Sequence, residues 1–428
     1  MKVNVGVIFG GKSVEHEISI ISAVEAMGYM DTNKYNVIPI YIDKEGTWYT
    51  GDHFKDILNY RDMDVVKRYA KKVCLIRRGK SCILQSLGFT RRTLNVIDIV
   101  FPIGHGLYME DGSLQGYLDM LGVPYVGSGV VASAIGQDKV FMKQILKSND
   151  IPTTNYVWFT SKEFISSKKK VLEKINTLNY PMYVKPASLG SSIGITRATT
   201  EHELISGIKE AIRFDNKIII EEEIKHVKEV NISVLGNYEH QKLSVIEEVN
   251  GHNKFLTYED KYIGGGKTKA KFGVKSVPSC KGSKGMLSAS RKIPADLSDK
   301  LKEEVETVAR KAFKALGSSG CCRIDFLIDS KKNKVYVNEI NSIPGSLAFY
   351  LWEPLGKDYT ELLDDMINIG IKDYKKRSSK TYTFDTNILQ GFANNSLKGG
   401  KTKSIIKRQL RCLKIQMVSP CGLEPQTH

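Results

Sequence analysis

Over its first 135 residues the chain alternates strand-like and helix-like patterns, and this alternation narrows the fold more than any other feature. Val3–Gly10 (V-N-V-G-V-I-F-G) is rich in β-branched and aromatic residues and reads as a strand, while Val14–Met30 reads as a helix. Tyr35–Asp43 and Val96–Ile103 read as strands, Gly112–Leu121 as a helix, and Val123–Gly127 as a returning strand. Such alternation predicts an open, parallel α/β sheet. Ligands on these sheets sit at the carboxyl ends of the strands. Here those ends carry G-G-K-S-V-E-H-E (Gly10–Glu17) and G-H-G-L-Y-M-E-D-G (Gly104–Gly112). Gly6–Ser13 also fits the Walker A spacing, but a phosphate loop needs a buried strand before its first glycine. Only five residues precede Gly6. The apolar run is therefore read as the strand itself, with the turn at Gly10–Gly11 and Ser13 as N-cap of the next helix.

Charge bears on the partner class. Lys and Arg number 63 against 47 Asp and Glu, a net charge of +16. That sign suggests nucleic acid first. The lysines, however, are spread over helix faces, and only 264–292 and the tail after Lys375 are locally basic. No nucleic-acid-binding motif accompanies them. The charge is read as solvation with some attraction for phosphate-bearing ligands, and neither a nucleic-acid nor a membrane partner is expected. No apolar run approaches the roughly 20 residues of a membrane span. The N-terminus lacks a signal-peptide pattern. The seven cysteines show no ligand-like spacing. Both features fit reduced thiols and a cytoplasmic location.

After Gln137 the pattern changes. A helix (Asp138–Ser148) leads to a strand ending in K-P, then the turn A-S-L-G-S-S-I-G (Ala187–Gly194) and a second strand. Backbone N–H groups and hydroxyls in such a loop can cover a polyphosphate, with Lys185 as a point charge beside it. Glu221–Glu223 end a strand in three carboxylates, placed to meet a purine amino group or ribose hydroxyls. Val227–Gly236 and Lys242–Val249 read as an antiparallel pair, and Asp299–Leu316 and Tyr359–Ile371 as helices. Arg323–Asp329 and Val335–Asn341 form a hairpin. Strand side chains alternate, so Glu339 and Asn341 share a face, and Asp325 on the neighbouring strand can join them. Two carboxylates and a carboxamide are hard oxygen donors suited to Mg²⁺ that is also held by phosphates. Arg323 shares the face of Asp325 and suits a carboxylate or developing oxyanion. Glu15, and Glu110 with Asp111, suit a substrate ammonium.

Taken in order, these pieces resemble the D-alanine–D-alanine ligases of the ATP-grasp superfamily, from about Lys2 to Ile371. The markers are G-G-K-S-V-E-H-E-I-S, H-G-L-Y-M-E-D-G-S-L-Q-G, P-Y-V-G-S-G-V-V-A-S-A, K-P-A-S-L-G-S-S-I-G, Y-E-D-K-Y, R-K-I-P-A-D-L, R-I-D-F and N-E-I-N-S-I-P-G. The resemblance implies an α/β substrate domain (1–135) followed by a two-lobed ATP-grasp fold, α+β overall. Its central lobe is 136–225, and its C-terminal lobe, 226–375, carries a mobile loop at 256–292. A basic extension, 376–428, is expected to be partly disordered. The resemblance further implies that Lys139, Lys185, Glu222, Glu229 and Lys261 contact ATP. Asp325, Glu339 and Asn341 would hold two Mg²⁺ ions, with Mn²⁺ an alternative. Glu15 would take the first D-alanine's ammonium, with Ser191 in the Gly-Ser loop and Tyr262 on the closing loop. Arg323 and the Gly345 N–H would meet the second substrate's carboxylate and the oxyanion. A homodimer is the assembly the family implies.

Met109 and Val227 stand where that family usually has glycine, and S-L-A-F-Y-L-W follows Gly345 where F-T-x-x-S-M is usual. Tyr350 takes the place of the serine that helps bind the second carboxylate. A phenol can also donate a hydrogen bond, with a different reach. The expected product is D-alanyl-D-alanine for peptidoglycan. Joining D-alanine to D-lactate, D-serine or another amine remains the alternative.

Overall fold

Three sheets organise the chain. The computed structural model describes residues 2–190, 193–250 and 290–383. Ser191, Lys261, Tyr262 and nearly all of the loop 256–292 lie outside these, as does the extension from 384 onward. The chain divides at Lys375, and all three sheets belong to the unit Met1–Lys375.

The first sheet has seven strands: β1 (Val3–Gly10), β2 (Tyr35–Ile42), β3 (Trp48–Thr50), β4 (Lys71–Arg78), β5 (Ser81–Ser86), β6 (Thr93–Ile97) and β7 (Ile99–Pro102), in the order β6-β5-β4-β3-β2-β1-β7. β1 pairs in parallel with β2 and β7. Its near-continuous apolar run suits a strand covered on both faces, and Val5, Val7, Ile8 and Phe9 are fully buried. The other half of the sheet, β2 to β6, is antiparallel. Residues 43–97 contain no long crossover helix, and antiparallel strands need none. The parallel core expected from the sequence is thus present, extended by an antiparallel wing. Ser13 does not cap the first helix (His16–Tyr29). Glu15 occupies the N-cap position, and the Ser13 hydroxyl instead accepts the Glu15 N–H at 3.1 Å.

The second sheet is formed by β8 (Tyr156–Thr160), β9 (Met182–Pro186), β10 (Thr196–Ala198) and β11 (Lys217–Glu222), ordered β10-β9-β11-β8 and antiparallel throughout. Val184, Ile218 and Ile220 pack beneath the helix Glu201–Ile212, while Ile219 faces the opposite side.

The third sheet has β12 (Val227–Gly236), β13 (Gln241–Asn250), β14 (Ser290–Lys292), β15 (Gly320–Asp329) and β16 (Lys334–Asn341), ordered β14-β13-β12-β15-β16. One face is apolar. Val230, Ile232, Ile324, Phe326, Val335 and Val337 pack against Val305, Ala309 and Phe313 of the helix Asp299–Ala315. Each large apolar side chain buried there contributes about 1.5–3 kcal/mol. The other face is polar, and the site is built on it.

After β16 the chain makes a tight turn, Gly345–Leu351, in which Ser346, Leu347 and Ala348 all have left-handed φ of 47–52°. Non-glycine residues in that region cost about 1–2 kcal/mol each. Burial offsets this. Leu347 is shut into the core of the first sheet, Ala348 is fully buried, and the Ser346 N–H donates to Ser22 Oγ at 3.0 Å. The turn fixes Tyr350 and Trp352 over the third sheet, where Trp352 Nε1 donates to Ser233 Oγ at 3.2 Å.

Candidate functional site

Directly opposed residues of an antiparallel pair point to the same face. Glu247 lies opposite Asn231, Asn231 opposite Asp325, and Asp325 opposite Glu339. One polar row thus crosses β13, β12, β15 and β16. Arg323 and Asn341 form the next rung. Asp325, Glu339 and Asn341 are therefore brought together as the hairpin predicts, with Asn341 Nδ2 3.3 Å from Asp325 Oδ2. Arg323 grips Asp325 through two charge-assisted bonds of 2.7 and 2.8 Å. Despite its burial, the carboxylate of Asp325 holds Arg323 firmly charged. Among the described residues no group of three or more His, Cys, Asp or Glu side chains forms a metal cluster. The donor set is two carboxylates and an amide, and that set fits a hard cation shared with phosphates better than it fits zinc or iron.

The second sheet supplies the lysines. Lys185 is 6% exposed and lies 3.2 Å from Glu221. Lys143, fully buried, lies 3.5 Å from the same carboxylate and donates to Thr154 at 2.9 Å. Burial opposes ionisation of Glu221, but Lys143 and then Lys185 outweigh it and hold its pKa at about 2. Lys139 donates to the Leu189 carbonyl at 2.6 Å, so two lysines flank the Gly-Ser loop. Glu222 points the other way. It accepts from Asn155 and Asn179 at 3.0 and 2.8 Å and lines a cavity of about 710 Å³ with His226, Lys331 and Tyr336. The carboxylate beside Lys185 is thus Glu221, the first of the three at the end of β11, and not Glu222. Glu229 is exposed on β12, within electrostatic reach of Tyr183 on β9.

Three loops converge on Glu15. A Cβ added at Gly190 or at Gly106 would come within 3.0 Å of its Oε2. Around it lies a cavity of about 300 Å³ lined by Lys12, Ser13, Lys44, Gly106 and Leu189. Glu110 ties this corner to the third sheet, accepting the N–H groups of Gly106 and Ile343 at 2.9 Å each. Burial, and then the charge of Glu15, push the Glu110 carboxyl up to about 8. His16 is held between the Gly11 carbonyl (2.7 Å) and Tyr41 Oη (3.0 Å), a structural role. Gly345 opens the left-handed turn.

The Glu110 shift predicts a pH slope in stability. Its folded value lies above its ordinary 4.5. The stability it contributes is therefore complete below about 4.5 and lost as pH rises through about 8. Melting temperature measured from pH 5 to 8 should fall more steeply for the native protein than for Glu110→Gln.

Comparison with known proteins places the chain in one family. The description "D-ala D-ala ligase N-terminus" matches residues 4–128, and "D-ala D-ala ligase C-terminus" matches 145–281 and 279–368. The D-alanine–D-alanine ligase of Thermosipho africanus is 40% identical over 390 residues, covering 90% of this chain and 98% of that protein. The solved D-alanine–D-alanine ligase of Coxiella burnetii superposes with a TM-score of 0.73 at 30% identity, over 88% of this chain and 96% of that one. The VanG D-Ala:D-Ser ligase of Enterococcus faecalis superposes at 0.71 with 27% identity, over 86% of this chain and all of that one.

Proposed function

Since the chain belongs to the D-alanine–D-alanine ligase family, we propose that it is the ATP-dependent ligase that joins two D-alanines into D-alanyl-D-alanine for peptidoglycan synthesis. The observation that carries this reading is the meeting of three features around one site: the Glu15 corner, the paired lysines at the Gly-Ser loop, and the polar row ending in Asp325 and Glu339.

The chemistry follows from the residues. A carboxylate is a poor acyl donor, so the first D-alanine takes the γ-phosphoryl group of ATP on a carboxylate oxygen, giving an acyl phosphate and ADP. Glu15 holds that amino acid's ammonium, and Ser191 serves the same substrate. Lys139 and Lys185 contact the nucleotide phosphates, with Lys261 from the loop beyond residue 250. Glu222 and Glu229 serve the base and ribose. Asp325, Glu339 and Asn341 hold Mg²⁺, two ions or Mn²⁺ in their place, which when bound neutralises phosphate charge. Arg323 and the Gly345 N–H stabilise the oxyanion formed when the second amine attacks the acyl carbon and phosphate leaves. Tyr262 belongs to the segment that closes over the acyl phosphate and keeps water from it.

The three-part division at 135 and 225, a homodimer and a cytoplasmic location belong to the same proposal. Among the described residues no helix is long and apolar enough to cross a membrane. Purified protein given ATP, Mg²⁺ and D-alanine should release one phosphate per dipeptide. ATP hydrolysis without dipeptide would reject the proposal. A second reading, with D-serine or a hydroxy acid as acceptor, is favoured by the turn that carries Tyr350, and an acceptor panel separates the two.

A further inference from the structure

The reaction above gives Lys143 no task. It lies one helical turn beyond Lys139 in the helix Lys139–Ser148, and both lysines are buried against the second sheet. Lys143 is fully buried. An ammonium is costly to bury without a countercharge, and the countercharge here is Glu221. Glu221 stands on β11 opposite Tyr156 of β8 and Tyr183 of β9, so these three side chains form one row across the face. Lys143 Nζ lies over the Tyr156 ring and Lys185 Nζ over the Tyr183 ring, each 5.9 Å from the centroid. Two ammonium groups therefore flank one carboxylate from its two sides.

The two lysines are not held alike. Lys143 Nζ donates to Thr154 Oγ1 at 2.9 Å, and that hydroxyl donates to Glu221 Oε2 at 2.9 Å. Lys143 itself lies 3.5 Å from the same oxygen, so ammonium, hydroxyl and carboxylate close a ring. Lys185 reaches that oxygen from β9, at 3.2 Å. β9 runs on into the Gly-Ser loop, which makes Lys185 the cation next to the phosphates. One carboxylate needs one cation for charge balance, and here there are two. Were Lys185 the sole partner, its transfer to a phosphate would strand a buried carboxylate, which is strongly unfavourable. With Lys143 in place the carboxylate stays paired, because that ammonium stands beside the oxygen Lys185 vacates. Burial draws Lys143 below its ordinary value, and the Glu221 charge opposes this.

We propose that Lys143 is a positioning residue for phosphoryl transfer: as the standing counterion of Glu221, it frees Lys185 to move from that carboxylate to the nucleotide phosphates. Lys143 acts through Glu221 and not by contact with phosphate. The inference rests on the ligase reading above and adds to it the group that releases Lys185.

The test is a charge-balance rescue, read as kcat/KM for ATP at saturating Mg²⁺ and D-alanine. Lys143→Met keeps the bulk of the side chain and removes its charge, so Lys185 is retained on Glu221. The value should fall by about 100-fold. Adding Glu221→Gln removes the carboxylate that retains Lys185. The double variant Lys143→Met/Glu221→Gln should recover at least about tenfold of the loss. A lysine that merely supports the fold predicts the reverse, because a second buried substitution adds its own loss. Lys185 suffices as counterion in the single variant, so Lys143→Met should fold, with a lowered melting temperature. A double variant no better than Lys143→Met overturns the proposal. So does a Lys143→Met enzyme within about threefold of the native value, or one that does not fold. A native protein that makes no dipeptide from ATP and D-alanine would instead reject the ligase reading itself.

Discussion

Replacing Lys185 by alanine lowers kcat/KM for ATP by about two to three orders of magnitude, the usual cost of removing one preorganised charge contact from a transferring phosphoryl group. Lys185 is buried and flanks the Gly-Ser loop with Lys139. It is held by Glu221 at 3.2 Å. The same substitution leaves Glu221 with Lys143 as its cationic partner, so the melting temperature falls as well. Lys12 is the control. It belongs to the stretch that fits the Walker A spacing, but Gly6–Gly10 is spent as the end of β1, so that stretch is strand and turn. Lys12→Ala should keep its affinity for ATP. Steady-state kinetics and nucleotide-binding calorimetry on both variants decide the matter, and loss of ATP binding in the Lys12 variant alone would contradict the account.

The second large effect is expected at Asp325. Asp325→Asn keeps the shape of the side chain but removes the charge that both a divalent cation and Arg323 use. The Mg²⁺ concentration for half-maximal rate should rise by at least about tenfold and kcat fall by about 100-fold. Glu339→Gln should move the Mg²⁺ midpoint in the same direction, because Glu339 stands opposite Asp325 on β16. Substituting Glu222, which is bound to Asn155 and Asn179 away from the hairpin, should leave the midpoint unchanged. A Mg²⁺ titration in which all three variants match the native protein would remove Asp325 and Glu339 from the metal.

What could be read from the sequence follows a physical divide. The hairpin Arg323–Asn341 was legible because its turn and its alternation are local, and two-residue periodicity alone places Asp325, Glu339 and Asn341 on one face. The Gly-Ser loop and its flanking lysines were legible for the same reason. Glu247 and Asn231 were not. They join the row through the pairing of β12 with β13 and β15, and a single chain does not display register between distant strands. At Glu221–Glu223 the phase was ambiguous, because three carboxylates in succession mark both faces and only the pairing of β11 with β9 selects Glu221 for Lys185. The antiparallel wing β3–β6 carries weak, half-exposed patterns, so the first sheet read as more parallel than it is. Tyr350 stood out as a departure from the family, yet only the structure shows that its O–H is already committed to Glu247.

The central claim is that this chain activates a D-alanine carboxylate by phosphorylation before an amine attacks it. D-alanine carrying heavy oxygen in its carboxylate tests this directly. Phosphoryl transfer makes one carboxylate oxygen the bridge to phosphorus, and that oxygen leaves with phosphate when the peptide bond forms. Mass analysis of the phosphate should find one heavy oxygen per dipeptide made. Dipeptide accompanied by unlabelled phosphate would contradict the account.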